Sequence, residues 1–272
     1  MKCIVKGIAI NYEIIGEGKP MLMLHGYSPD HRLMTGCMER VTGITDNFKR
    51  IYLDLPGMGK SESAEWINSS DIMLDIVLEF IEKIILDENF LIAGESYGGY
   101  LSRGIVYRIG HRVDGMVLIC PAIIADMKKR QVSKHQVLVK DDEILASLTI
   151  EQAEDFNSIA VIQNREIYER YKKEIVCGLK IADDEFLDYF KKSGYEFSFK
   201  VDDENRKFHK PVLMILGRQD CSVGYRDALN IIENFPRGTF AVLDMAGHNL
   251  QIEQPYLFNA LVNEWVERIK IG

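Results

Sequence analysis

The chain has 272 residues, of which 47% are hydrophobic and 27% are charged, and its formal net charge at pH 7 is −8. A chain of this length and composition can bury a sizeable core, which excludes intrinsic disorder and fibrous repeats. An acidic surface repels nucleic-acid phosphates and anionic lipid headgroups. The charge therefore argues against a nucleic-acid partner and against membrane docking.

The beginning of the chain and its cysteines predict a reduced, cytoplasmic protein. Residues 1–7 do not resemble a signal peptide, because Lys6 interrupts the apolar run. The longest uncharged, mostly apolar run, residues 115–125, is shorter than the ~20 residues that a membrane span needs. The five cysteines are scattered and form no C-x-x-C pair, which predicts neither a disulfide framework nor a zinc ribbon.

Short apolar runs bounded by glycine or proline alternate with helical patterns along the chain. Runs of this kind are typical of buried strands in a parallel sheet. The predicted strands are residues 8–15, 21–24, 50–53, 90–93, 116–120, 212–216 and 239–243. Helical spacing of apolar residues appears over 74–85, 100–108 and 257–269. This alternation predicts an α/β fold with a mostly parallel central sheet flanked by helices.

Residues 123–207 depart from this alternation. The segment is rich in charge, has helical patterns, and lacks an apolar run of the buried-strand type. Thr149 and Gln152 have the spacing of a capping box, and residues 183–192 form a second amphipathic helix pattern. We therefore expect a core domain made of residues 1–122 and 208–272, interrupted by a helical insertion at 123–207.

A candidate nucleophile lies at Ser96. Residues 94–98 read GESYG and fit the pattern G-x-S-x-G, with a predicted strand before them and a predicted helix after them. This strand–turn–helix context is that of a nucleophile elbow, in which the serine stands above the sheet near the positive end of a helix. The alternative interpretation is a glycine-rich turn that carries an ordinary surface serine.

A serine nucleophile needs a base and an acid that orients the base. Among the six histidines, His248 lies between the last predicted strand and the last helix, at the same sheet edge as Ser96. Asp220 follows the strand at 212–216 and reaches that edge too. The order Ser96, Asp220, His248 is the serine–acid–histidine order of α/β-hydrolases. Asp126 is the alternative acid, whereas Asp244 is too close in sequence to His248.

An oxyanion needs backbone donors beside the nucleophile. One donor is the N–H of Tyr97, the residue after Ser96. We expect the second to be the N–H of Tyr27, in the loop after the strand at 21–24, with Ser28 as the alternative. His25, in the same loop, is expected to shape it by hydrogen bonding rather than to take part in catalysis.

Four motifs together resemble the α/β-hydrolase superfamily, in its serine-nucleophile, esterase-like branch. They are HGY at 25–27, DLPGMGKS at 54–61, GESYGG at 94–99 and GH at 247–248. The resemblance covers nearly the whole chain apart from the insertion, and it implies that residues 123–207 are a cap, or lid, over the active site. Superfamily dehalogenases and epoxide hydrolases carry aspartate as nucleophile, so Ser96 argues against both.

The function that follows is a serine hydrolase of carboxylesterase type. We expect Ser96, His248 and Asp220 to cleave a small-molecule ester or related acyl substrate through an acyl-enzyme, without a cofactor or metal. One alternative is a carbon–carbon bond hydrolase of ring-cleavage dienoates, although Asn often precedes the nucleophile in those enzymes where this chain has Glu95. The other is a receptor-like α/β-hydrolase that binds a ligand with little turnover.

Overall fold

A mixed sheet forms the centre of the computed structural model, which describes residues 1–271. Its strand order is β1-β2-β4-β3-β5-β6-β7-β8. The pairs β1–β2 and β2–β4 are antiparallel, and every other neighbouring pair is parallel. The strands are β1 (Lys2–Val5), β2 (Ile8–Ile15), β3 (Lys19–Leu24), β4 (Phe48–Leu53), β5 (Phe90–Glu95), β6 (Val113–Ile119), β7 (Val212–Gly217) and β8 (Gly238–Leu243).

Helices cover both faces of this sheet. A π-helical turn at Lys172–Val176 joins two of them, α7 and α8. The helices are α1 (Arg32–Met38), α2 (Thr42–Thr45), α3 (Ser70–Ile84), α4 (Tyr97–Ile109), α5 (Asp142–Ala146), α6 (Ile150–Ile159), α7 (Arg165–Tyr171), α8 (Cys177–Leu179), α9 (Asp184–Ser193), α10 (Arg226–Leu229), α11 (Leu250–Glu253) and α12 (Pro255–Ile271). Within residues 1–271, no helix combines the length and the apolar character that crossing a bilayer requires.

The central strands are buried because helices pack on both sides of them. Every residue of β5 and β7 is buried, as their continuous apolar runs predict. On one face, Trp265 of α12 is fully buried, and its Nε1–H donates to the carbonyl of Pro211, the residue before β7 (3.1 Å). Each predicted strand lies within an observed one, apart from Cys120, which follows β6. The predicted α/β class is confirmed, whereas β1 was not predicted.

The chain between β6 and β7 contains helices α5 to α9, and over its described residues it adds no strand to the sheet. The capping box at α6 is present, because Thr149 and Gln152 exchange side-chain to backbone hydrogen bonds. At α9, the side chain of Asp183 accepts the N–H of Phe186. The phenyl ring of Phe186 then lies against Gly57, which joins this segment to the loop after β4.

Candidate active site

A sharp turn between β5 and α4 raises Ser96 above the sheet. The backbone of Ser96 has φ 50° and ψ −112°, a left-handed conformation that costs a non-glycine residue about 1–3 kcal/mol. The flanking glycines permit the turn. A Cβ added at Gly98 would clash with the carbonyl oxygen of Leu24, and one added at Gly94 would clash with that of Gly98. Small residues are therefore required on both sides of the serine.

The structure brings Ser96, His248 and Asp220 together. His248 Nε2 lies 3.0 Å from Ser96 Oγ, and His248 Nδ1 lies 2.9 Å from Asp220 Oδ2. These three side chains come from the carboxyl ends of β5, β7 and β8, which meet at one edge of the sheet. The arrangement provides a hydroxyl, a base in contact with it, and an acid that orients the base.

Asp220 is fully buried and well supplied with hydrogen-bond donors. Its Oδ1 accepts the N–H groups of Ser222 (2.7 Å) and Val223 (3.0 Å), while its Oδ2 faces His248. Burial alone would raise the pKa of Asp220, but His248 and these amides bring it below its usual value. Helix α10 begins only at Arg226, so these two amides belong to a turn that the side chain of Asp220 closes.

The alternative acids lie elsewhere. Asp126 caps the 3₁₀ turn Met127–Lys129, with its side chain accepting the N–H of Lys128 (3.0 Å). Asp244 accepts a hydrogen bond from the side-chain amide of Gln219 (2.8 Å). Both carboxylates thus have hydrogen-bond partners other than the imidazole of His248.

The loop after β3 lies directly against the nucleophile. A Cβ added at Gly26 would lie 3.2 Å from the Cβ of Ser96, so the backbone of this loop approaches the serine closely. Tyr97 is the first residue of α4, and its N–H has no acceptor within the helix. The alternative donor, the N–H of Ser28, points to the Sδ of Met58 (3.4 Å). The N–H of Ser28 is therefore already engaged.

His25 holds the loop after β3 in place. It is fully buried; its Nε2 accepts the N–H of Leu55 (3.0 Å), and its Nδ1 lies 2.7 Å from the carbonyl oxygen of Gly26. These contacts require the tautomer with hydrogen on Nδ1. The side chains of Tyr27 and Tyr97 pack into a cluster of aromatic rings with Phe190 of α9.

Sequence reasoning missed one residue of this site. Glu95 is 2% exposed, its Oε1 lies 3.3 Å from His248 Nε2, and its carboxyl group contacts Gly26. Burial raises the pKa of Glu95 to about 7. The available signal was a charged residue at the end of the otherwise apolar strand β5, where a carboxyl group must be buried.

A cavity of about 240 Å³ opens beside Ser96. Four aliphatic side chains line it, together with Tyr171 and the carboxyl groups of Glu95 and Asp155. Among the described residues 1–271, those lining the cavity include no lysine or arginine. The aliphatic residues are Leu33, Ile159, Ile175 and Leu179.

Two groups of side chains have donor atoms within 4.8 Å of one another, as a metal ion would require. Hydrogen bonds within the protein account for both: Asp220 pairs with His248, and Asp54 pairs with His31. The two groups are Cys120, Asp220 and His248, and Asp30, His31 and Asp54.

Comparison with known proteins gives a family match over most of the chain. The family described as Serine aminopeptidase, S33, matches residues 19–255. The crystal structure of an alpha/beta superfamily hydrolase from Oenococcus oeni PSU-1 is 32% identical, covers 99% of both chains and has a TM-score of 0.90.

More distant relatives carry different activities in their names. A 2-hydroxy-6-oxononadienedioate/2-hydroxy-6-oxononatrienedioate hydrolase from Burkholderia vietnamiensis is 23% identical over 96% of this chain and 92% of its own. An esterase from Exiguobacterium antarcticum is 17% identical over 98% of both chains, with a TM-score of 0.73, which is a similarity of fold.

Proposed function

The chain belongs to the α/β-hydrolase superfamily, through the family described as Serine aminopeptidase, S33, and on this premise we propose that it is a serine hydrolase of small-molecule esters or related acyl compounds. The observation that carries the proposal is the chain of hydrogen bonds from Ser96 through His248 to Asp220. Fold alone does not determine an activity, so the argument depends on this site.

In the first half of the reaction, Ser96 Oγ attacks the substrate carbonyl while its proton passes to His248 Nε2. Asp220 accepts the Nδ1–H of the imidazole, which fixes the tautomer that can receive this proton and stabilises the imidazolium that forms. The leaving group then takes the proton from Nε2, and an acyl-enzyme remains on Ser96. Water activated by His248 hydrolyses the acyl-enzyme in the second half.

Negative charge on the former carbonyl oxygen needs donors that are already in place. We assign this role to the N–H groups of Tyr97 and Tyr27. The positive end of α4 adds to the stabilisation, because Ser96 is the residue from which that helix begins.

We further propose that residues 123–207 act as a cap on a core made of 1–122 and 208–272. Its helices contribute Asp155, Ile159, Tyr171, Ile175 and Leu179 to the cavity. A cavity of about 240 Å³ is below the roughly 300–1,000 Å³ that is typical for small-molecule sites, so the cap favours short acyl groups.

Carbon–carbon bond hydrolysis is the second candidate, favoured by the relative from Burkholderia vietnamiensis. The dienedioates in that enzyme's name carry two carboxylates, which call for cationic groups in the site. Over the described residues, the cavity has no lysine or arginine, and its one histidine, His248, already lies between the carboxylates of Asp220 and Glu95. Asp155 adds a further carboxyl group. The charge of the cavity therefore supports an uncharged acyl substrate over a dianionic one.

The test is hydrolysis of p-nitrophenyl esters, from acetyl to palmitoyl, by the wild type and by Ser96→Ala. We expect turnover to be fastest on short acyl chains and to fall about 10³-fold or more in Ser96→Ala. Ser102→Ala is the matched control, because Ser102 is a buried serine of the same helix whose hydroxyl donates to the carbonyl of Gly98.

Undiminished turnover in Ser96→Ala would refute the mechanism. Ser96-dependent turnover of ring-cleavage dienoates, without turnover of esters, would replace the ester proposal by carbon–carbon hydrolysis. A folded wild type that turns over neither class would refute both enzymatic proposals and favour a ligand-binding role.

A further inference from the structure

Two neighbouring residues, Glu95 and Ser96, reach the same nitrogen of the same imidazole. Ser96 Oγ lies 3.0 Å from His248 Nε2, and Glu95 Oε1 lies 3.3 Å from it. When the imidazole is protonated, Nε2 carries a single hydrogen, and the hydroxyl and the carboxylate compete for it. The serine, histidine and aspartate mechanism described above makes no use of this second carboxylate.

The surroundings leave Glu95 few other partners. The N–H of Gly26 donates to its carboxylate, and the remaining groups close enough to act on it electrostatically are His248 and Asp220. Burial is the main cause of the raised pKa values of Tyr195, Cys37 and Cys120, and the charge of Glu95 raises them further. His248 is thus the cation that this carboxylate can pair with.

His248 itself stands between two carboxylates. Burial alone would lower its pKa, but Asp220 at Nδ1 and Glu95 at Nε2 raise it to about 9. The charge of Arg130 lowers the pKa of His248. The guanidinium of Arg130 itself donates to the carbonyls of Ile124, Ala125 and Ser222. Cys120 is the other ionisable group beside the imidazole, and burial keeps its thiol protonated by raising its pKa.

We propose that Glu95 is a further catalytic residue, whose carboxylate pairs with the Nε2–H of His248 and stabilises the imidazolium on which acyl transfer depends. The proposal rests on the proposed serine-hydrolase function. In the attack, the Ser96 Oγ–H bond breaks, Nε2 gains the proton, the Oγ–C bond forms and the carbonyl π pair moves to oxygen. Glu95 gains and loses no atom; it forms an ion pair with the new Nε2–H.

The contact between Glu95 and His248 should also slow the reaction at neutral pH. An imidazole already protonated at Nε2 cannot take the proton of Ser96, so the resting enzyme must first lose that proton. The rate should therefore rise with pH through the pKa of His248. Without the carboxylate, the imidazole is free at lower pH, but the imidazolium in the transition state is less stabilised.

The experiment compares the wild type with Glu95→Gln, which keeps the shape of the side chain and an acceptor for Gly26. Histidine ¹⁵N chemical shifts are followed by NMR from pH 5 to 10, and His248 is assigned from the signal that His248→Gln lacks. We expect wild-type His248 to titrate well above 6.5, the ordinary pKa of histidine. In Glu95→Gln its pKa should fall by about one unit or more.

The pH profiles of kcat/KM for ester hydrolysis by the wild type and by Glu95→Gln should cross. At pH 7, Glu95→Gln should exceed the wild type, but by less than tenfold for each unit by which the pKa falls, because the transition-state imidazolium also loses its pairing with Glu95. Near pH 9.5 it should be slower, because a weaker base gives a slower proton transfer. Asp155→Asn is the matched control: it removes a carboxylate from the same cavity and should leave the titration of His248 unchanged.

A wild-type His248 that titrates at or below its ordinary value would overturn the proposal, even if Glu95→Gln failed to fold. So would equal His248 pKa values in the two proteins. The NMR titration needs no turnover, so it tests the Glu95–His248 pair separately from the hydrolase function, which the Ser96→Ala assay tests.

Discussion

Asp220 and His248 are 28 residues apart in sequence, yet Asp220 Oδ2 lies 2.9 Å from His248 Nδ1. The contact depends on the geometry of the sheet, because β7 and β8 are parallel neighbours whose carboxyl ends lie side by side. Asp220 is fully buried, so its orientation toward the imidazole is not disturbed by solvent. The aspartate should thus decide which tautomer of His248 faces Ser96.

Asp220→Asn should lower kcat for ester hydrolysis by about 10²–10⁴-fold, with little change in KM. An asparagine amide can donate to Nδ1, which favours the tautomer with hydrogen on Nε2, and this tautomer cannot accept the proton of Ser96. Steady-state kinetics on a short p-nitrophenyl ester measures the effect. Asp126→Asn, at the alternative acid, should have the kcat of the wild type. A large loss of kcat in Asp126→Asn together with normal kcat in Asp220→Asn would assign the orienting acid to Asp126 instead.

Arg103 fixes both ends of the proposed cap. It is 2% exposed; its guanidinium donates to the carbonyls of Ala122 and Ile123, where the segment begins, and to both carboxylate oxygens of Asp202, near its end. Asp202→Asn should lower the free energy of unfolding by roughly 3 kcal/mol, because a buried guanidinium loses its counter-charge. Urea unfolding measures this loss.

Limited proteolysis of Asp202→Asn should also give faster cleavage at the two ends of residues 123–207. Asp203→Asn is the matched control, because Asp203 is the adjacent residue and its carboxylate accepts from Asn205 (3.0 Å for the backbone N–H) in its own loop. Equal stability and equal cleavage of the two variants would contradict the role given to Arg103 as the anchor of this segment.

The core strands and the meeting of Ser96, Asp220 and His248 could be predicted because both follow from short-range patterns. An apolar run bounded by glycine identifies a buried strand, and the carboxyl ends of parallel strands share one edge. The side chain of Glu95 could not be oriented in this way. Its contact with His248 depends on a loop some 150 residues further along the chain, and G-x-S-x-G leaves that position open.

β1 was missed for a different reason. Only Cys3 and Val5 of its four residues face the core, so the apolar signal is short and lysines interrupt it on both sides. The signal that could have found it is the pair Lys6-Gly7, where both residues have positive φ (47° and 88°) between paired strands. A two-residue turn of this kind is typical of a β-hairpin.

Leu179 gives a way to test the size limit of the cavity. It lines the cavity from α8 and is partly exposed, so its truncation should cost little stability. Leu179→Ala should raise kcat/KM for hexanoyl over acetyl esters by about fourfold for each additional methylene accommodated, because a buried CH₂ contributes about 0.8 kcal/mol. Leu257→Ala, at an exposed leucine of α12, is the control; an unchanged chain-length preference in Leu179→Ala would contradict the proposed acyl cavity.

Asp54 is a second buried carboxylate with a different use, which is to hold the loops around the site. Its Oδ1 accepts the backbone N–H of His31 (3.0 Å) and also lies 2.7 Å from the Nδ1 of the His31 ring. Its Oδ2 accepts the backbone N–H of Lys60 (2.9 Å) and the side-chain amide of Asn11 (2.8 Å). Burial alone would raise the pKa of Asp54, but the bond with His31 brings it well below its usual range. Burial would likewise lower the pKa of His31, but Asp54 raises it.

The directions of the pKa shifts of Asp54 and His31 define the pH range in which this pair stabilises the fold. A carboxylate with a lowered pKa stabilises the fold above its unfolded value of about 3.9, and the contribution is lost as pH falls below that value. A histidine with a raised pKa stabilises the fold below its unfolded value of about 6.5, and the contribution is lost as pH rises through the folded pKa. The pair should thus contribute most between about pH 4 and 6.5.

Asp54→Asn should be less stable than the wild type by about 1–3 kcal/mol near pH 5.5, and the difference should shrink toward pH 3.5 and toward pH 8. Urea unfolding across this range measures it. Glu13→Gln is the matched control, because Glu13 is the exposed partner of the other ring nitrogen of His31, at 3.6 Å, and a surface ion pair contributes little. A difference that stays constant with pH would show that Asp54 acts through packing alone, since only an ionised carboxylate paired with His31 gives this dependence.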